Sequence, residues 1–332
     1  MAIHELAALL YRDQLPGSWV PGYLAGRGFP AYVQRRWQVG YAASGPDALL
    51  RHLRAAGYPD VLIETAGLAR RTRHGQLVDM FRDRAVLPIR SHGRIVAFVG
   101  RAAEHADPGV PKYLNSPTTP LYTKGDVLFG LCEAQAALAA GATPVLTEGP
   151  LDAIAVALAN PDCAPVSPCG TALTARQTHL LGAGHAEIVV AFDADRSGQL
   201  ASLSAYHLLA PACERVTAVV FPAGSDPARV LSDHGPGMLA AMLEHRRRPL
   251  ADLVVDAEFD RWDGRLSFAE GQIGALRAAA RLVGAMPASD VGRQVGRVAD
   301  RLGLDHAIVT EAVTDAVTRL VLAGAAGLGF RM

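Results

Sequence analysis

The chain has 332 residues, room for about two or three domains at ~100–200 residues each. Half of the residues are hydrophobic and 19% are charged, which suits a globular protein with real cores. Net charge is zero, so an all-over basic coat for nucleic acid is excluded, but the charge is unevenly spread. Residues 1–130 carry 16 basic and 10 acidic side chains, a net +6, and residues 131–332 carry a net −6. A basic half beside an acidic half suits an anionic polymer on one side and cations on the other.

No apolar run approaches the ~18 residues needed to cross a bilayer, and no membrane role is expected. The opening M-A-I-H-E-L-A-A-L-L-Y-R-D reads as an amphipathic helix and lacks the basic and apolar regions of a signal peptide. A cytoplasmic location is expected. Cys132, Cys163, Cys169 and Cys213 form no C-x-x-C pair, so neither a zinc site nor a disulfide framework is predicted.

Along the chain, residues 48–56 read as a helix, and 84–90 and 94–101 as two strands around the turn S-H-G. Residues 102–125 read as a loop, with Pro108, Pro111, Pro117 and Pro120. This loop holds Lys112 and Lys124, the only two lysines of the sequence. Two readings stand at this point: chance in an arginine-biased composition, or a site that suits a compact ammonium point charge and not a planar guanidinium.

From about 136 to 235 the pattern becomes strand, turn, helix, repeated. Strands are predicted at 143–149, 164–170, 187–195 and 215–224, each leading into a helical stretch. This alternation implies a parallel sheet with covering helices, whose ligands lie beyond the carboxyl ends of the strands. Arg246, Arg247 and Arg248 read as an exposed, solvated turn. Helices are predicted at 250–259, 268–283, 288–302 and 307–322.

Three of the four strand ends are acidic. The first ends in Glu148-Gly149, with Asp152 one turn into the helix; the third ends in Asp193-Ala194-Asp195; the fourth is followed by Asp226-Pro227. In an extended segment Asp193 and Asp195 point to one face. Converging carboxylates raise each other's pKa unless a cation binds, and an all-oxygen set favours Mg²⁺ or Mn²⁺. Each piece alone is unspecific, since a strand-end carboxylate also caps helices.

The ordered set E-G-P-L-D-A-I (148–154), C-G-T-A-L-T (169–174), F-D-A-D-R-S-G (192–198) and F-P-A-G-S-D-P (221–227) resembles the TOPRIM domain. F-R-D-R-A-V-L-P-I (81–89), P-K-Y-L-N-S-P-T-T (111–119), L-Y-T-K-G (121–125), Y-L-A-G-R-G-F (23–29) and V-G-Y-A (39–42) resemble the core of DnaG-type bacterial primases. The resemblance implies an α/β architecture in three parts. These are a basic mixed α+β subdomain at 1–135, a TOPRIM parallel sheet with flanking helices at 136–238, and a helical bundle at 239–323, followed by a tail at 324–332. It implies Glu148, Asp193 and Asp195 as catalytic residues, and these with Asp152 and Asp226 as ligands of divalent metal. Arg101, Lys112, Tyr113, Asn115 and Lys124 become nucleotide or template contacts, with Asn115 alternatively fixing its loop and Tyr113 alternatively a core-edge residue. The implied reaction is primer synthesis on single-stranded DNA from nucleoside triphosphates.

The sequence departs from the family pattern in four places. No zinc ribbon precedes the core, so a separate zinc-ribbon protein or a replicative helicase becomes a candidate partner. The fourth-strand D-P-D is Asp226-Pro227-Ala228. The tyrosine after E-G is Pro150, and a basic residue before Y-L is replaced by Pro21-Gly22. A TOPRIM nuclease and a non-catalytic nucleic-acid-binding subunit stand as alternative readings.

Overall fold

The protein is described from a computed structural model covering residues 3–170, 172–182 and 185–328. It opens with α1 (Ile3–Asp13), α2 (Val20–Gly26), α3 (Ala31–Arg36), β1 (Gly40–Ala42), α4 (Ala48–Ala55) and α5 (Asp60–Thr65). A small ribbon, β2 (Ala69–Arg71) and β3 (Leu77–Asp79), leads to β4 (Arg84–Ser91), β5 (Arg94–Ala102) and β6 (Tyr113–Asn115). The antiparallel sheet runs β1-β4-β5-β6, with the β4–β5 hairpin turning through His92 and Gly93. The first six residues of β4 are all buried, because helices cover both faces of this sheet. Val86 packs towards α1 and α4, while Ala85, Leu87 and Ile89 join the core on the other face, the period-two alternation of a strand. Asp79 holds α4 in place by accepting the N–H groups of Leu49 (2.8 Å) and Leu50 (2.9 Å).

The segment expected to be a loop at 102–125 is not wholly irregular. Tyr113–Asn115 adds β6 to the sheet edge, paired with Val99–Arg101, and Lys124–Asp126 forms a short 3₁₀ turn. Edge pairing with β5 supplies order that local composition does not announce.

Next come α6 (Leu131–Ala139), β7 (Thr143–Thr147), α7 (Pro150–Ala159), β8 (Cys163–Val166), α8 (Ala175–Gly182), β9 (Glu187–Ala191), α9 (Arg196–Leu209), β10 (Arg215–Val219) and α10 (Pro227–His245). The sheet order is β11-β10-β9-β7-β8, where β11 (Arg247–Pro249) follows α10. Strands β7 to β10 are parallel, as the strand–helix alternation predicts. The arginine triplet is not a solvated turn. Two of its members form β11, antiparallel on the free edge of β10. Arg247 reaches Glu187 on β9 (3.6 Å) and Arg248 reaches Asp256 on the helix that follows (2.8 Å), so each guanidinium meets a carboxylate.

The chain ends in α11 (Leu250–Asp260), α12 (Ala269–Gly284), α13 (Ala288–Leu302) and α14 (His306–Leu328). Part of the expected tail is therefore helix, since α14 runs on to Leu328; residues 329–332 lie outside the described residues. Asp252 ties α11 to α13 through Arg293, Arg297 and the buried Gln294.

The cores cross the compositional boundaries at 135 and 238. Val20, Leu87 and Val99 share one core with Val145, Leu151 and Leu243. Val190 and Tyr206 share another with Val254, Val283 and Val298. The parallel sheet is thus clamped between the antiparallel sheet and the helical bundle.

Candidate active site

The end of β7 delivers Glu148. Thr147 anchors this turn by donating to the carbonyls of Gly149 (3.2 Å) and Val166 (3.1 Å), and Ser167 donates to the Glu148 carbonyl (2.8 Å). Pro150 occupies the first turn of α7, where a missing N–H costs little. Asp152 follows on α7, 8% exposed, and accepts the N–H of Ala228 (3.1 Å) at the start of α10. The Glu148 side chain crosses to the next strand end, where its Oε1 accepts the N–H of Asp193 (3.0 Å).

Gly198 makes that approach possible. A Cβ there would stand 2.1 Å from the Asp193 carbonyl and 2.9 Å from Glu148 Oε1. A Cβ on Gly149 would likewise meet Asp152 Oδ2 at 2.8 Å. Two glycines therefore leave the room into which the carboxylates fit.

Asp193 and Asp195 do not lie together on a strand, because β9 ends at Ala191. Asp195 is exposed and caps α9, accepting from Gly198 N (2.8 Å) and Ser197 Oγ (2.7 Å). Those donors hold its pKa below the ordinary carboxylate value. Asp193 is half-buried, and its Oδ1 is buried without a hydrogen-bond partner. Burial, then the charges of Glu148, Asp226 and Asp195, push its pKa up to about 7. Asp152 is raised to about 8 by burial, then by Asp226 and Asp193. Burial raises Glu148 as well, against the relief given by the Asp193 N–H. Asp226 caps α10 through the N–H of Arg229 (2.5 Å). The capping alternative is realised at Asp195 and Asp226, while Glu148 and Asp193 face each other with unmet negative charge.

Among the described residues, no group of three or more His, Cys, Asp or Glu side chains stands at metal-holding spacing. The carboxylates are gathered at one sheet edge without forming a finished cage. The donor set is nonetheless all oxygen, mutually repelling, and includes the unpartnered Asp193 Oδ1. Such a set fits a hard divalent cation.

Of the two lysines, Lys112 is the one brought to the acidic edge. Its charge lowers the pKa of Glu148, Asp152 and Asp193. Lys124 lies instead by Cys169, whose thiol burial raises to about 12 against the pull of that ammonium. The 124–127 turn is clamped by α8. Gln177 donates to the carbonyls of Lys124 (3.1 Å) and Val127 (2.8 Å), and Thr174 to that of Gly125 (2.6 Å).

Arg101 is 5% exposed at the end of β5, donating to the Tyr23 hydroxyl (2.8 Å). Its guanidinium lies 5.2 Å from the Tyr113 ring centre and 5.5 Å from that of Tyr23. Burial raises the pKa of the Tyr113 phenol, against the pull of Arg101 and with help from the Asp152 charge. Asn115 makes no local turn bond. Its amide donates to the Cys169 carbonyl (3.1 Å), linking β6 to the loop after β8, while its Oδ1 is buried and unpartnered. That loop passes through Cys169 (φ 56) and Gly170 (φ 78) in the left-handed region; Thr171 lies outside the described residues. The motif reading left Tyr23, Arg27 and Glu104 without roles. Arg27 also stacks on Tyr23 (5.8 Å), and Glu104 bridges Arg27 (3.3 Å) and Arg101 (3.9 Å).

The parallel sheet with its acidic strand ends defines a TOPRIM-type domain, and a Toprim-like family model matches residues 145–231. The model of the DNA primase catalytic core, N-terminal domain, matches residues 11–135. The chain is similar to the DNA primase of Mycobacterium tuberculosis, 34% identical over 295 residues, covering 86% of this chain and 45% of that protein. It is also similar to the RNA polymerase domain of Mycobacterium tuberculosis primase DnaG, solved with a double-stranded DNA oligomer bearing a 6-nucleotide overhang. That likeness has 31% identity, a TM-score of 0.75, and coverage of 91% of this chain and 97% of that one. A DNA primase domain from Pseudomonas aeruginosa gives a TM-score of 0.78 at 29% identity, covering 94% and 100%. The chain therefore belongs to the family of DnaG-type DNA primase catalytic cores. It spans less than half the length of the curated primase it matches. Among the described residues, no helix is long and apolar enough to cross a membrane.

Proposed function

We propose that the chain synthesises short primers on single-stranded DNA, joining a 3′-hydroxyl to the α-phosphate of a nucleoside triphosphate. The observation that carries this reading is the position of Lys112. Its ammonium acts on Glu148, Asp152 and Asp193 and also lies 6.0 Å from the ring of Tyr113, which Arg101 covers. A cationic and aromatic strip thus runs into a carboxylate edge, the juxtaposition that phosphoryl transfer on a nucleic-acid chain requires.

Glu148 and Asp193, with Asp152, Asp195 and Asp226 beside them, would hold Mg²⁺ or Mn²⁺. When bound, the ion neutralises phosphate charge and favours loss of the hydroxyl proton. Glu148, with its pKa raised, is placed to take or return a proton at its free oxygen, because Oε1 is fixed by the Asp193 N–H. Lys112 and Arg101 pair with phosphate oxygens, the lysine as a mobile point charge and the arginine as a fixed fork. Asn115 fixes the loop after β8 through the Cys169 carbonyl, and Lys124, beside Cys169, offers the template a second ammonium. A zinc-ribbon protein or a helicase is the partner class that would present template to this core, and three subdomains meeting at this edge are the working division of the chain.

The test is primer synthesis on single-stranded DNA with labelled nucleotides, in Mg²⁺ and then Mn²⁺, beside Glu148→Gln and Lys112→Ala. Short products lost in Glu148→Gln support the reading. Strand cleavage in their place would move the assignment to a nuclease. DNA binding with no product under either metal would leave a non-catalytic subunit.

A further inference from the structure

We propose that Trp19 is a nucleobase-stacking platform that extends the template-binding strip away from the carboxylates; this rests on the single-stranded DNA reading above. Trp19 is the N-cap residue of α2 and is only partly buried. Its indole N–H is tied to Asp83 (2.9 Å), and the same carboxylate oxygen accepts the Tyr41 hydroxyl (2.8 Å). Asp83 sits at φ 49, a conformation held here by the hairpin that follows. The ring stands steeply to two neighbours, Tyr23 (5.4 Å, 69°) and Tyr41 (6.5 Å, 82°).

These contacts fix the indole in orientation and give its one polar group a partner. Among the described residues, no ring stacks parallel on Trp19 and no guanidinium lies over it. The other two tryptophans are already occupied. Trp37 is 6% exposed and stacks on Phe129 (5.3 Å, 20°), and Trp262 carries Arg265 (5.2 Å). Trp19 thus packs in part against the core and is partly exposed, and among the described residues no other ring lies parallel to it.

Its neighbourhood says what the partner is. Tyr23, edge-on to Trp19, carries Arg27 and Arg101 on its ring, and Arg101 leads to Tyr113 and Lys112. Aromatic rings interleaved with cations along one line are the device by which single strands are held, bases on rings and phosphates on charges. Asp83 is exposed and keeps its negative charge, with Oδ1 taking the indole and phenol donors, so a strand stacked on Trp19 has its phosphates on the Arg27 and Arg101 side and away from Asp83.

The test compares binding of an oligo-dT strand and an abasic strand of equal length by fluorescence anisotropy, in the parent chain, Trp19→Leu, Trp19→Phe and Lys112→Ala. Thermal unfolding checks that each variant is folded. Stacking is lost only where bases are present. Trp19→Leu should weaken oligo-dT binding roughly fivefold or more and leave the abasic strand unchanged, with Trp19→Phe recovering most of the loss. Lys112→Ala should weaken both strands alike. Equal effects of Trp19→Leu on both strands, or no effect on either, would overturn the stacking role while leaving the template reading intact. A parent chain that binds neither strand overturns both.

Discussion

Glu148 Oε1 accepts the backbone N–H of Asp193 at 3.0 Å, so the carboxylate of one parallel strand end is fixed by the main chain of the next. The relation depends on Gly198, where any side chain would enter the Asp193 carbonyl at 2.1 Å. Gly198→Ala should therefore destabilise the fold by about 1–3 kcal/mol, read as a lower midpoint in chemical denaturation. It should also abolish primer synthesis under conditions where the protein is still folded, because the contact it forces apart is the Glu148–Asp193 bond.

The raised carboxylates set a pH dependence whose direction follows from linkage. Asp193 at about 7 and Asp152 at about 8 in the fold compare with 3.8 in the unfolded chain. Their contribution to stability is complete below about 3.8 and is lost as pH rises through 7 and then 8. Without divalent cation, thermal stability should therefore fall between pH 6 and 8.5. Added Mg²⁺ or Mn²⁺ should restore it at pH 8.5 and have a smaller effect at pH 6, where Asp193 and Asp152 hold their protons against the metal. Equal metal effects at both pH values in differential scanning fluorimetry would contradict the assignment of these residues to the metal.

Glu104 bridges Arg27 and Arg101 from an exposed position, beside the strip proposed to hold the template. Water reaches both pairs through the exposed Glu104, although the arginines are largely covered, so each pair is worth about 0.2–1 kcal/mol. Glu104→Gln should accordingly tighten single-stranded DNA binding by roughly two- to fivefold at low salt. The gain should shrink as salt is raised. Arg101→Ala should do the reverse, and a titration of affinity against salt separates the two.

Asp252 joins α11 to α13 by accepting from Arg293 and Gln294 and by an ion pair with Arg297. Gln294 is fully buried and already has one oxygen without a partner. Asp252→Ala would strip the amide nitrogen of its acceptor too, at a cost of about 1–3 kcal/mol. The arginines, each a third or more exposed, can turn to water and add little. Hydrogen exchange should show the loss concentrated in α11 and α13 while the antiparallel sheet keeps its protection.

Much of the layout was legible from local pattern. The β4–β5 hairpin, the four strand–helix repeats and the four terminal helices each follow from hydrophobic period and turn residues that act over a few positions. So does the grouping of Glu148, Asp152, Asp193 and Asp226 at one edge, since parallel strands put their carboxyl ends side by side. The motifs in turn name the family.

What only the tertiary structure decided is how partners far apart in sequence divide those residues between roles. Asp193 and Asp195 read alike as a pair, yet one meets Glu148 and is pushed to about 7, and the other meets a helix N-terminus and is lowered. Lys112 and Lys124 read alike too, and the fold sends one to the carboxylates and the other to Cys169. Arg247 and Arg248 became strand because β10 offered a free edge and Glu187 and Asp256 offered charge. Trp19 carries no motif, and its meeting with Asp83 spans 64 positions. Secondary structure is set by neighbours within a turn or a strand, whereas a side chain's charge state and its exposed face are set by whatever the completed fold packs against it.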